Sequence, residues 1–354
     1  MSRFFTQRLS ALTPYVPGEQ PQDRKYLKLN TNESPFPPAP GVARAVEAEA
    51  GKLQLYSDPE SALLRQALAE RYGVTADQVM VSNGSDEALN FAFMAFGDED
   101  APLAFPDITY GFYPVFGALN RIPYRTVPLA PDFRIRPEDY CGLNSTIVLA
   151  NPNAPTGLSL TLDQVEDILA RSRDHVVILD EAYVDFGGES ALALLPRYEN
   201  LLVVQTFSKS RSMAGARLGF ALGSPELIGD LKTIQYSTNP YNVNRMTAAA
   251  GIAALREQAY YDGCCRQIME SRAWTKAALE ELGFSVLPSS ANFLFARSDR
   301  IGGEALYLAL KKRGILIRHF TAERINDYNR ITIGTREQME AFLDGVRDCL
   351  EDQA

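Results

Sequence analysis

The segment TFSKSRSMAGARLGF, residues 206–220, gathers groups able to do covalent and ionic chemistry: the hydroxyls of Thr206 and Ser208, the amine of Lys209 and the guanidinium of Arg217. Lys209 follows the apolar run LLVVQTF, which puts it at a strand end, accessible yet partly withdrawn from water. Partial desolvation lowers an amine's pKa, and the neutral amine is the form that attacks a carbonyl. A lone lysine is ordinarily a solvated surface charge, so its neighbours decide the reading. In VVILDEAYVDF, Asp180 also follows an apolar run, and Tyr183 comes three residues later. A carboxylate at a buried strand end needs a cationic partner or serves only as a cap for the next turn. A protonated ring nitrogen would be such a partner, and Tyr183 could then donate to a phenolate oxygen on the same ring.

Three further segments carry polar groups at strand ends. VSNGSDEALNFAF reads as strand, turn and helix start, so the backbone N–H groups around Gly84, Ser85 and Asp86 converge as an anion cradle. Alone this is a weak signal, because Ser and Asp also serve simply as caps. NPNAPTG, residues 151–157, follows the strand-like STIVLA and by itself is a proline-rich turn. Arg330 in NRITIGT offers a planar guanidinium that can bind a carboxylate or phosphate bidentately, with Arg318 in ILIRHF as a second contact.

The elements that position these groups follow from the periodicity. From about Tyr56 to Leu222, amphipathic helical runs (Ser61–Tyr72, Ser85–Phe96) alternate with short apolar ones. The strands are expected at Val79–Val81, Ala101–Phe105, Ile147–Ala150, Val176–Leu179, Leu201–Thr206 and Gly219–Leu222. That alternation predicts a mostly parallel α/β sheet with its site at the strand ends. Beyond Asn242 the rhythm changes to long helices at Asn244–Leu255 and Gln258–Leu282, strand-like Asn292–Ala296, a helix at Glu304–Arg313, strand-like Ile315–Arg318 and a last helix at Arg336–Leu350. A second, α+β domain is expected there, giving an N-terminal arm over 1–35, a large domain over 36–243 and a small one over 244–354.

Composition removes several function classes. With 354 residues, 46% of them hydrophobic and 22% charged, the chain can bury a large core, and a net charge of −9 argues against nucleic acid or an anionic membrane as partner. His175 and His319 are the only histidines, and the four cysteines form no CxxC pair, so no metal cluster is expected. There is no leader-like apolar segment and no stretch of membrane-spanning length, which by default predicts a cytoplasmic protein. A GxGxxG turn after a first strand, which a dinucleotide oxidoreductase needs, is missing.

In their order NGSDE, NPNAPTG, DEAY and SKSRSMAGAR, these segments resemble the fold-type-I aminotransferases, and the resemblance runs over nearly all of the chain. LKLNTNESPFPP, LYSDPES, PDITYGFYPVF, DEAYVDF and NRITIGT make it most similar to the histidinol-phosphate aminotransferase family. The resemblance implies an α/β fold with a mostly parallel seven-stranded sheet in the large domain, and pyridoxal 5′-phosphate as cofactor. It implies that Lys209 holds the cofactor covalently and then acts as general base. Asp180 pairs with the pyridine nitrogen, Tyr183 bonds the phenolate oxygen and Tyr110 stacks on the ring. Backbone groups near Gly84, Ser85 and Asp86, the hydroxyls of Thr206 and Ser208, and Arg217 hold the phosphate. Tyr56 reaches that phosphate from the partner of a homodimer. Arg330 and Arg318 bind the substrate's anionic groups, under a lid formed by Tyr15 and by Asn32 with Glu33.

One position departs from the family pattern. Where the family has asparagine before the proline of PTG, this chain has Ala154, so the phenolate ligand supplied from that position is absent. Asn153, or alternatively Asn151, is the candidate replacement; otherwise Tyr183 carries the interaction alone. The expected reaction is transfer of an amino group from L-histidinol phosphate to 2-oxoglutarate, giving glutamate in a ping-pong cycle of histidine biosynthesis. An aromatic amino-acid aminotransferase and a threonine-phosphate decarboxylase share most of these motifs. A regulator that binds the cofactor without catalysis is disfavoured by the acidic charge and by the presence of Lys209, Asp180 and Arg217 together.

Overall fold

The computed structural model describes residues 2–352. Its strands, in chain order, are β1 Leu27–Lys28, β2 Val79–Ser82, β3 Leu103–Pro106, β4 Tyr124–Val127, β5 Thr146–Ala150, β6 Val177–Asp180, β7 Leu201–Thr206, β8 Gly219–Leu222, β9 Phe284–Val286, β10 Phe293–Ser298, β11 Ile315–Leu316, β12 Arg318–His319 and β13 Tyr328–Thr332. Seven of these form the large sheet, in the order β2-β8-β7-β6-β5-β3-β4. β8 runs antiparallel to both its neighbours, and the other pairings are parallel.

Side-chain alternation explains how one sheet serves two cores. Val79, Val81, Ile147, Leu149, Val177, Leu179, Leu201 and Val203 pack on one face. Met80, Val148, Ile178, Leu202 and Val204, the intervening residues, pack on the other with helix Ser85–Phe96. Both faces are therefore dry, as a parallel sheet covered by helices requires, and its strands read as continuous apolar runs rather than alternating ones. A third core joins helices Gln258–Glu281, Gly303–Lys312 and Arg336–Glu351 to the antiparallel sheet β12-β13-β10-β9. The last helix opens with a reciprocal cap between Thr335 and Gln338.

The N-terminal segment attaches to this third unit. β1 pairs in parallel with β11, and Leu29 sits in the same apolar cluster. Glu19 is hydrogen-bonded by Tyr307 and Lys311 of helix Gly303–Lys312, and its Lys311 contact is also an ion pair. These ties carry residues 13–18 across the mouth of a cavity of about 930 Å³ between the two sheets. Among the described residues no helix is long and apolar enough to cross a membrane, and no cluster of His, Cys, Asp and Glu could hold a metal ion.

Candidate active site

Strands β5, β6 and β7 end side by side, and their final residues face the cavity. After β7 the chain makes a closed loop to β8, pinned where Thr206 pairs with Gly219 and where Phe207 N–H donates to the Leu218 carbonyl at 2.9 Å. Phe207 is fully buried at the start of this loop, and Lys209, two positions on, lines the cavity. Its Nζ donates to the Thr31 carbonyl at 3.3 Å and lies 5.8 Å from the centre of the Tyr183 ring. Among the described residues Lys209 forms no ion pair with a carboxylate, which leaves its amine to other chemistry.

Asp180 ends β6 and is buried. Tyr113 donates to its Oδ2 at 3.0 Å and the Ala182 N–H to its Oδ1 at 3.2 Å. Among the described residues no cation compensates it within ion-pair distance, and burial pushes its pKa up to about 6 despite these two donors. The same carboxylate and its own burial hold the Tyr113 hydroxyl firmly protonated. A buried acid with one side open to a cavity is a seat for a cationic group.

The anion cradle is set by close packing. Helix Ser85–Phe96 begins where β8 passes beneath it, and a Cβ added at Gly219 would come within 2.3 Å of the Ser85 nitrogen. Gly84 has φ 79°, and a Cβ there would meet the Arg217 guanidinium at 2.6 Å. Glycine at these two positions lets the Ser85 N–H and the Arg217 side chain converge. Arg217 donates to Asp86 Oδ2 at 3.0 Å, and Tyr110 donates to Asp86 Oδ1 at 2.8 Å. Thr206 Oγ1 donates to Ser208 Oγ at 3.0 Å, completing a polar rim around the helix start.

The opposite wall is cationic. Arg330, on β13, donates to the Asn30 carbonyl at 3.0 Å, while among the described residues its buried Nε has no partner and no carboxylate pairs with it. Phe293 and Phe320 flank its guanidinium at 5.4 and 5.9 Å, and desolvation draws its pKa down. Arg318 donates to the carbonyls of Val16 and Pro17 at 3.1 and 3.3 Å, and so holds down the crossing segment. Tyr15, in that segment, stacks on Phe112 at 4.4 Å beside Tyr110.

Every candidate site residue lines this cavity except Gly84, Asn151, Asn153 and Tyr56. Gly84 spends its N–H on the Ser82 carbonyl at 3.0 Å, and its part is to leave room, having no Cβ, for the Arg217 guanidinium. Asn153 is a correction: its carboxamide is spent inside the turn, accepting from Thr109 at 2.9 Å and donating to the Ile108 carbonyl and Thr156 at 3.0 and 3.1 Å. Asn151 likewise accepts from Leu160 N–H at 2.9 Å, so neither asparagine replaces the donor missing at Ala154. Tyr56 stands away from the cavity, 80% exposed and stacked on Tyr241. Sequence reasoning missed Tyr113, whose partner Asp180 is 67 residues away, and Gly219, whose role shows only in three dimensions.

The model for "Aminotransferase class I and II" matches residues 24–346. The chain belongs to the class I and II aminotransferase family. Among curated relatives it is 51% identical to histidinol-phosphate aminotransferase 2 of Dechloromonas aromatica, over 98% of this chain and 99% of that one. It is 48% identical to the histidinol-phosphate aminotransferase of Brachyspira hyodysenteriae over the same shares. Among solved structures, histidinol-phosphate aminotransferase from Sinorhizobium meliloti in complex with pyridoxal-5′-phosphate superposes with a TM-score of 0.90 at 28% identity, over 100% of this chain and 99% of that one. L-threonine-O-3-phosphate decarboxylase from Porphyromonas gingivalis reaches a TM-score of 0.80 at 22% identity, over 92% and 99% of the two chains, which is a likeness of fold alone.

Proposed function

We propose that the chain is a pyridoxal-5′-phosphate-dependent aminotransferase that moves the amino group of L-histidinol phosphate to 2-oxoglutarate. The observation that carries this reading is Asp180: a buried, uncompensated carboxylate at a strand end, facing the same cavity as an unpaired lysine. A pyridinium nitrogen fits it, and the Ser85 N–H, Thr206, Ser208 and Arg217 fit a phosphate at the other end of the same group. Bound there, pyridoxal phosphate supplies a carbonyl carbon that condenses with amines and a ring that takes up an electron pair.

The chain's own residues do the rest. Lys209 would hold the carbonyl carbon of that group, and its amine, when free, would move the proton at the substrate's Cα. Asp180 would pair with the ring nitrogen and favour its protonated form, and Tyr110, which lines the same cavity, would lie against the ring. Arg330, joined by Arg318, binds the substrate's anionic end, and the Tyr15 segment excludes water. Two guanidiniums free of carboxylates on one wall support a phosphate-bearing substrate over a plain aromatic amino acid, as does the identity with relatives named for histidinol phosphate.

The same reading takes residues 1–35 as an arm, 36–243 as the cofactor-holding domain and 244–354 as a small domain, supported by the apolar core that joins helices Gln258–Glu281, Gly303–Lys312 and Arg336–Glu351 and by the β1–β11 pairing, whereas helix Arg245–Arg256 packs Ala250, Ala254 and Leu255 into the large domain's core. It also takes the working form as a cytoplasmic homodimer. Supporting this are four free cysteines and an exposed apolar surface of Leu53, Leu55, Tyr56, Leu63 and Tyr241, from which Tyr56 would reach the second copy's phosphate site. The test is to load the purified protein with the cofactor and add histidinol phosphate without an oxo acid. Loss of the visible band with one equivalent of ketone is the expected result. A band that persists, but bleaches with phenylalanine or releases carbon dioxide from threonine phosphate, overturns the substrate assignment.

A further inference from the structure

Ala154 contributes only a methyl group to the cavity, and it packs with Ala291, Phe293 and the ring of Tyr183. The phenol of Tyr183 is therefore bounded by apolar groups on one side, with Phe293 edge-on at 5.1 Å. Its one hydrogen-bond partner among the described residues is Asn32, whose Nδ2 stands 2.9 Å from the hydroxyl oxygen.

The direction of that bond is fixed by a chain of donors. The backbone N–H of Asn32 can only donate, and it does so to Thr332 Oγ1 at 3.0 Å. Thr332 spends its own hydrogen on Asn32 Oδ1, also at 3.0 Å. With the amide oxygen occupied, the amide nitrogen faces Tyr183 and donates to it, so the phenolic hydrogen must point elsewhere, into the cavity. Reversing the amide would leave Thr332 without an acceptor and would take up the Tyr183 hydrogen. The Asn32 backbone is anchored as well: its carbonyl accepts from Asn292 Nδ2 at 3.0 Å, and its φ of 56° lies in the left-handed region that asparagine tolerates.

We infer that Asn32 is a positioning residue: through Thr332 and Asn32 the chain aims the Tyr183 hydroxyl at the cofactor's phenolate oxygen, in place of a direct donor at position 154. This rests on the cofactor assignment above and goes beyond it, since Asn32 acts through Tyr183 rather than on the substrate. Thr332 stands two residues from Arg330 on β13, so the strand that receives the substrate's anion also orients the donor to the cofactor.

The experiment is a pH titration of the visible band of the cofactor-loaded protein, comparing wild type with Asn32→Gly, Tyr183→Phe and the double variant. Glycine accepts the left-handed backbone and adds no charge. Removing a donor to the phenolate raises the pH at which the band titrates, by about half to one unit for one net hydrogen bond. Asn32→Gly is expected to raise the midpoint in the same direction as Tyr183→Phe, and the double variant to rise no further than Tyr183→Phe alone. Thr332→Val, which keeps the Asn32 side chain but removes the hydroxyl that accepts its backbone N–H and donates to its amide oxygen, is expected to raise it less. An unmoved midpoint in Asn32→Gly and Thr332→Val, with Tyr183→Phe shifted, overturns the inference and leaves the cofactor reading standing. A wild-type protein that develops no visible band overturns both.

Discussion

Asp180 and Glu181 are consecutive, both buried, and both pushed up in pKa by that burial, to about 6 and about 7. Strand alternation sends them to opposite faces of the sheet, and their surroundings differ in kind. Glu181 accepts from Ser190 Oγ at 2.6 Å, the Ala191 N–H at 2.7 Å and Gln205 Nε2 at 2.9 Å, and Gln205 is itself held by Tyr72 at 2.9 Å. Asp180 has two donors and an open side on the cavity. A displaced pKa alone would nominate both as functional. The difference lies in what remains unsatisfied: a network closed on itself holds structure, whereas one left open waits for a ligand.

Substitutions can break this distinction. The largest effect is expected at the open acid: Asp180→Asn keeps the shape but not the charge, and kcat should fall about 10³-fold, the scale of removing an electrostatic stabiliser from a closed site. Steady-state kinetics on cofactor-loaded protein would check it. Arg330→Met should lower kcat/KM about 10²-fold by removing a charge-assisted contact to the substrate, yet raise the unfolding free energy of the cofactor-free protein by about 1 kcal/mol, because an uncompensated guanidinium disappears. Kinetics and denaturant melts together would show whether the site gives up stability for binding.

Gly219→Ala drives a methyl group onto the Ser85 nitrogen and should weaken cofactor binding about 10-fold, measurable by fluorescence titration, roughly the value of one hydrogen bond to a charged group. Glu181→Gln should have the smallest effect on turnover, within about threefold, because nothing reaches that carboxylate from the cavity. Its signature belongs in the pH dependence of stability. Since the folded chain holds a proton on Glu181 that the unfolded chain releases, stability falls as pH rises from 4.5 to about 7 and is level above. Glu181→Gln should remove the part of the slope between about 6 and about 7 and flatten the rest, where Asp180 still contributes, seen by melting at several pH values; a large loss of kcat instead would erase the contrast with Asp180.

Much of this was legible in the sequence because the chemistry sits at strand ends, and strand ends are marked by where apolar runs stop. Leu201–Thr206 and Gly219–Leu222 were read to the residue, and Lys209, Asp180, Arg217 and Arg330 do meet in one cavity. β4, the edge strand, was missed because YRTV is largely exposed and has no apolar run to betray it. β1 is two residues long and gains its identity only by pairing with β11, almost 290 positions away. The asparagines show the remaining limit. Asn153 and Asn32 are the same residue type in polar motifs, and only the hydrogen bonds to Thr109 in one case and Tyr183 in the other tell which is committed to a turn.

The reversal of β8 has a consequence for how the chain acquires its site during synthesis. β2 is the first strand of the large sheet to be made, and its sole partner in that sheet is β8, with Val79 opposite Leu222. At translation rates of about 5–20 residues per second, β2 and the helix start behind it wait on the order of ten seconds for that partner to leave the ribosome. The parallel strands between them can assemble in the meantime. The proposed phosphate cradle, which needs Ser85 and Gly219 pressed together, is thus among the last parts of the sheet to form, and an edge strand left open for that interval is the stretch a nascent-chain chaperone would have most reason to cover.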